Sequence, residues 1–312
     1  MRFFCYMQHV VLMEAAYSTE SAWLNGFVPQ ICEKLRERLV AHRGFHCPLL
    51  SSDRPLECTK PALKIAWDSG LRYCECDVRL SSDGKIMLLH DPNLDKLVEE
   101  SAKPTPNANE ITAEDLISWP LLQKDVHLTY LEDVLLTALE SGSRLVIELK
   151  GSPGSPTVGS AVARLLQGNP QLLEACALVM SFEVPELLGF ADAWDESIAE
   201  TSRPKLLLLT AIPRENLEAK YQTLDLGDSA WPEKAATFLA RKDLLLDGFY
   251  IEWTEKLSND NQEALRKLCQ MCTVGVWQHF GQTDSHEEAS RLMDLGASFC
   301  NTDLPRGFLR GS

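Results

Sequence analysis

The sequence predicts a (β/α)8 barrel with a small insertion after its third strand-like segment, and three observations carry that reading. Short apolar, strand-like runs alternate with stretches of helical period along most of the chain. One link between two runs is too short for a parallel crossover. Ionisable residues cluster at the ends of several runs, where barrels carry their chemistry.

Residues 1–38 read as an N-terminal extension packing on the barrel. They are mildly hydrophobic to Ser18, and Gln8, His9 and Glu14 break up any leader-like apolar core. Strand-like runs follow at 39–44, 72–80, 85–91, 144–150, 177–182, 205–210, 248–253, 273–278 and 298–301. A helix is predicted over 61–69, after Thr59 as cap and before Gly70. Another covers 131–139, ahead of Gly142. A third covers 285–295, opened by a capping box of Ser285 and Glu288 and stopped at Gly296.

Nine runs are one too many for eight strands. Ser81-Ser82-Asp83-Gly84 resolves the surplus, because four residues close a hairpin but not a crossover. The run 85–91 therefore returns antiparallel and eight parallel strands remain. The runner-up with the same alternation is a doubly wound open sheet. Residues 92–130 are too long for a plain connector and are expected to cap the active face. The stretch Gly151-Ser-Pro-Gly-Ser-Pro156 is a candidate lid or a solvated connector.

Composition sets bounds. The 312 residues, 45% hydrophobic, accommodate a barrel of roughly 250 residues. Net charge is −15, which argues against a nucleic-acid or anionic-membrane surface. No run reaches the roughly 20 apolar residues of a membrane span. Of the ten cysteines, Cys74, Cys76, Cys176 and Cys300 sit in apolar segments and read as buried free thiols. With the interrupted N-terminal segment, they make the cytoplasm the expected compartment. Cys269-Gln-Met-Cys272 lacks a second pair at zinc spacing and reads as helix packing.

The hairpin returns His90 and Asp91 beside Glu75 and Asp77. His42 and Arg43 end the first strand, and Glu148 and Lys150 end another, so these groups are expected at one mouth. Glu75 and Asp77 lie two apart and share a face. With Glu148 they suit a hard cation, Mg2+ or Ca2+. His42 and His90 come from different strands and fit a general acid and general base. Arg43 and Lys150 supply positive charge for an anion.

The charges test the idea. Three carboxylates and two cations leave one negative charge; a divalent ion makes it one positive, which a phosphodiester monoanion cancels. Activity should therefore depend on metal. Taken singly, each residue has a bland reading: a structural histidine, a surface ion pair, an exposed strand face. Their joint, ordered occurrence favours a site.

These motifs resemble the glycerophosphodiester phosphodiesterase family. They are His42-Arg43-Gly44, Glu57-Cys58-Thr59, Glu75-Cys76-Asp77-Val78, Asp83-Gly84, His90-Asp91-Pro92-Asn93-Leu94, Glu148-Leu149-Lys150 and Thr302-Asp303-Leu304-Pro305, spread over roughly residues 39–308. The resemblance implies a TIM barrel that hydrolyses glycerophosphodiesters such as glycerophosphocholine to glycerol 3-phosphate and an alcohol. It implies His42 and His90 as the acid–base pair, Glu75, Asp77 and Glu148 as metal ligands, and Arg43 and Lys150 on phosphate. Glu57 is then an acidic residue near metal or glycerol, and Trp277 a wall for glycerol.

The chain departs from the family pattern at Cys58, in place of Asn, at Gln278-His279, in the long loop after Gly44, and in lacking a Thr-Thr after Leu94. These departures bear on substrate choice. The alternative substrate is a lysophospholipid, through lysophospholipase D activity and an apolar groove drawn from residues 92–130. A phosphatidylinositol phospholipase C fits the carboxylate spacing less well. From another class, an inactive phosphodiester- or partner-binding barrel is disfavoured by retention of every site residue.

Overall fold

In the computed structural model, alternation of side chains across each strand separates two apolar layers. The described residues are 33–46, 55–152, 157–195, 197, 203–215, 217–219, 221–253, 259–278 and 286–303. Most of the expected N-terminal extension, most of the candidate lid and Ser285 of the third helix's capping box lie outside them.

The strands are β1 (Leu39–Ala41), β2 (Tyr73–Leu80), β3 (Ile86–Leu88), β4 (Arg144–Leu149), β5 (Cys176–Ser181), β6 (Lys205–Thr210), β7 (Gly248–Trp253), β8 (Thr273–Gln278) and β9 (Phe299–Thr302). They run in the order β1-β9-β8-β7-β6-β5-β4-β2, and a β1–β2 pairing closes the cylinder. Every pairing within the cylinder is parallel; β3 is antiparallel to β2, joined where Leu80 faces Ile86. The fold is the predicted (β/α)8 barrel, with the hairpin accounting for the ninth strand.

Helices Lys60–Asp68 and Leu131–Glu140 match the predicted pair, and the last runs His286–Asp294. Thr59 caps the first by accepting from Ala62 N. Two strands are shorter than their apolar runs. The first stops at Ala41 because Arg43 and Gly44 turn left-handed, at φ 54 and 80. The return strand ends at Leu88, although Leu89 N still donates to Asp77 O at 3.0 Å.

Residues alternating outward, among them Cys74, Cys76, Val78, Leu145 and Ile147, pack in the layer under the helices. Inward residues Val40, Val146, Leu178, Met180, Leu207, Leu209 and Tyr250 fill the cylinder. Gly275 makes room for Tyr250: a Cβ there would lie 2.3 Å from the tyrosine ring. On β2 the inward positions next along are Glu75 and Asp77. Cys58, Cys74, Cys76, Cys176 and Cys300 are buried free thiols, while Cys269 and Cys272 are half-buried against the core at the end of helix Asn259–Met271.

Residues 92–130 build a cluster of their own. Leu94, Leu97, Val98, Ile111, Leu116 and Leu128 pack with Met87 and Leu89 from the hairpin. A short helix, Ala113–Ser118, lies within this segment, capped by Thr112 accepting from Asp115 N.

Candidate active site

Parallel pairing in register places Asp77 beside Glu148 on adjacent strands, with Glu75 one inward step below. One oxygen from each of the three carboxylates lies within 4.8 Å of the others, and all three residues are buried. Glu75 Oε1 accepts no hydrogen bond, and Asp77 Oδ1 has the Lys150 ammonium 3.2 Å away but outside hydrogen-bond geometry. Buried carboxylate oxygens left without donors are costly, and a hard cation is the group that satisfies several at once. The donor set therefore fits a divalent ion.

Two cations flank these acids. Arg43, held left-handed at the end of β1, donates its backbone N–H to Glu75 Oε2 at 2.8 Å. Its Nη1 donates to Glu57 Oε2 at 2.9 Å and its Nε lies 3.3 Å from Asp77 Oδ2. The turn depends on Gly44, where a Cβ would sit 2.7 Å from the Ala62 backbone. Lys150 Nζ lies 3.2 Å from Asp77 Oδ1 and 2.5 Å from Glu148 Oε1.

Each histidine has its own carboxylate. His42 Nδ1 lies 2.5 Å from Asp303 Oδ1, and His90 Nδ1 lies 2.7 Å from Asp91 Oδ1. Asp91 is also paired with Lys96 at 2.7 Å. Carboxylates on both Nδ1 atoms leave Nε2 as the ring position facing the site, and on His42 it lies 3.9 Å from Glu75 Oε2.

The charges shift one another. Burial lowers the His42 pKa, but Asp303 and Glu75 outweigh it and raise it to about 9. Burial raises Asp303, yet His42 brings it down to about 2. Burial and the charge of Asp77 push Glu75 well above the carboxylate range. Asp77 is held well below it, because Lys150, His90 and Arg43 outweigh burial. His46, buried next to His42, is lowered to about 4 by desolvation.

A cavity of about 570 Å3 opens over these groups. His42, Arg43, Glu57, His90, Glu148, Lys150 and Trp277 line it, while Glu75 and Asp77, 0% exposed, lie behind the lining. All nine residues singled out in the sequence are thus brought to one region. The far wall is apolar, with Met180, Phe182, Leu209, Leu217 and Trp277. Trp277 is fixed by Nε1 donating to Thr210 O at 3.1 Å and by an edge contact with Phe182 at 5.7 Å.

Two expectations need correction or addition. Residues 92–130 contribute only Lys96 and Leu97 to the cavity lining, their other apolar side chains being used in their own cluster, so the apolar wall comes from the later strands instead. Asp91, expected at the mouth with His90, and Asp303, seen in sequence only as part of a motif, turn out to be the histidines' partners. Their adjacency to a strand-end Thr302 and to His90 was the available signal.

Fold and site together define a class, the (β/α)8-barrel phosphodiesterases. The model of the glycerophosphoryl diester phosphodiesterase family matches residues 42–238, and the chain belongs to that family. A Galdieria sulphuraria protein assigned the same activity superposes with a TM-score of 0.63 at 17% identity, covering 87% of this chain and 95% of that one. A glycerophosphodiester phosphodiesterase from Parabacteroides distasonis gives 0.57 at 20% identity, covering 87% and 94%. An Oleispira antarctica phosphodiesterase, solved in complex with its product sn-glycerol-3-phosphate, gives 0.58 at 17% identity, covering 87% and 94%. In sequence, the Bacillus subtilis (strain 168) protein YqiK is 30% identical over 117 residues, 37% of this chain and 46% of that protein. The chain spans about half the length of that curated relative. No helix among the described residues is long and apolar enough to cross a membrane.

Proposed function

We infer that this protein hydrolyses glycerophosphodiesters, glycerophosphocholine among them, to glycerol 3-phosphate and an alcohol, with Mg2+ or Ca2+ as cofactor. One observation carries the reading: buried carboxylate oxygens without donors, flanked by Arg43, Lys150 and two His–Asp pairs at one cavity. Residues 39–308 are taken as one catalytic barrel, with 92–130 as a cap at its rim.

Glu75, Asp77 and Glu148 would hold the cation, which when bound supplies Lewis-acid polarisation of a phosphoryl oxygen. Arg43 and Lys150 bind the remaining phosphate oxygens and orient the diester. His42, kept protonated by Asp303, gives its proton to the departing alcohol oxygen; His90 accepts the proton of the attacking water from the other side. Trp277 packs against the glycerol carbons, and Glu57, anchored by Arg43, stands where it can accept from glycerol hydroxyls.

The test is release of glycerol 3-phosphate from glycerophosphocholine with Mg2+, with Ca2+ and with excess chelator. Release that the chelator abolishes is the expected outcome. Release that persists in chelator refutes the metal assignment, and none from any glycerophosphodiester refutes the activity.

A further inference from the structure

Arg79 is buried, at 8% exposure, and its chemistry is not absorbed by the site described so far. It follows Asp77 by two positions on β2, where the strand has outrun the cylinder and pairs with the return strand at Met87. No carboxylate of the described residues is in ion-pair contact with its guanidinium. Asp77, Glu183, Asp91 and Glu148 attract it from a distance, yet burial outweighs them, and the guanidinium spends its hydrogen bonds on backbone carbonyls rather than on any of these acids.

Those bonds indicate its role. Nε donates to His90 O at 2.9 Å and Nη1 donates to Gly151 O at 3.0 Å. The backbone ladder of β2 stops one residue short of both carbonyls: Leu89 N donates to Asp77 O, and Lys150 N donates to Val78 O, each at 3.0 Å. Arg79 continues that ladder with a side chain where the main chain can no longer do so. Because the guanidinium is planar and its donors are fixed in one fork, it sets the spacing of the two carbonyls it holds. One carbonyl belongs to His90 itself, the other to the residue directly after Lys150.

We propose that Arg79 is a positioning residue that fixes His90 relative to Lys150. It rests on the phosphodiesterase reading above, and it predicts an effect on turnover rather than on binding of metal or substrate.

The test measures kcat, KM and Mg2+ affinity of the whole protein with glycerophosphocholine, for Arg79→Ala and Arg79→Lys. The lysine keeps the charge and reaches one carbonyl but not both, which guards against an alanine variant that fails to fold. Both are expected to lose about tenfold to a hundredfold in kcat, the scale of a displacement of about 1 Å. KM and the Mg2+ dissociation constant should stay within about twofold. Free guanidinium ion is expected to restore part of kcat to Arg79→Ala. A kcat unchanged in both variants, or a loss confined to KM or Mg2+ affinity, overturns the proposal. A parent protein with no phosphodiester turnover defeats the underlying reading and this proposal together; an active parent with indifferent variants defeats the proposal alone.

Discussion

The two halves of the barrel mouth are built from the same kind of strand and present opposite chemistry. At β1, β2 and β4 the side chains reaching the cavity or lying just behind it are His42, Arg43, Glu75, Asp77, Glu148 and Lys150. At β5, β6 and β8 they include Met180, Leu209 and Trp277. Gln278 of β8 and Arg214 also reach the cavity on that side, and the buried acid there, Glu252 of β7, lies outside the lining with its carboxylate occupied by Arg214 at 2.6 Å and Ile212 N at 2.9 Å. What differs is how free the charges are. On the first side carboxylate oxygens remain unsatisfied and can take a ligand; on the second the buried acid is spent on holding the loop that follows β6. Reaction and fit are thus separated across the opening, and each half can be altered with a different signature.

The sharpest break of that contrast falls on the charged half. His42→Ala or His90→Ala is expected to lower turnover by about a thousandfold, with the circular dichroism spectrum unchanged. Near-parental glycerol 3-phosphate release from His90→Ala would remove the acid–base assignment.

A smaller effect follows at Asp303. Its carboxylate is what lifts His42 to about 9 against burial. In Asp303→Asn burial dominates, and the His42 pKa should fall below its ordinary 6.5, moving the corresponding limb of the pH–rate profile downward, with about tenfold or more lost at neutral pH. The sign for stability is the same. A raised histidine contributes stability that is complete below about 6.5 and lost as pH rises through about 9, so the parent's advantage over Asp303→Asn in thermal unfolding should shrink as pH rises from about 6.5 to about 9. A profile identical in the two proteins would separate Asp303 from His42.

The mildest change belongs to the apolar half. Trp277→Ala should raise KM about tenfold with kcat within about twofold, because a packing wall binds ground state and transition state alike. Steady-state kinetics would show this; a collapse of kcat would mean that the halves are not separable.

Much of this was legible in the chain because local pattern encodes local geometry. Alternation in Tyr73-Cys74-Glu75-Cys76-Asp77-Val78 already states that cysteines and carboxylates face opposite ways. The four residues after Leu80 could only make a hairpin. Helix Ala113–Ser118 was not legible, since six residues span under two turns and show no period. The pairing of His42 with Asp303 joins positions 261 apart, and no local signal marks which acid will meet which imidazole. Arg79 was hidden for a related reason: its acceptors are backbone carbonyls, which every residue carries.

Tyr250 has a consequence for traffic. Fully buried, backed by Gly275 and hydrogen-bonded to Asn301, it stoppers the cylinder among Val40, Val146, Leu178 and Leu207. Among the described residues the well above it is blind. Whatever enters must leave by the door it came through, so a lingering product delays the next substrate by standing in its path as well as by holding its ligands.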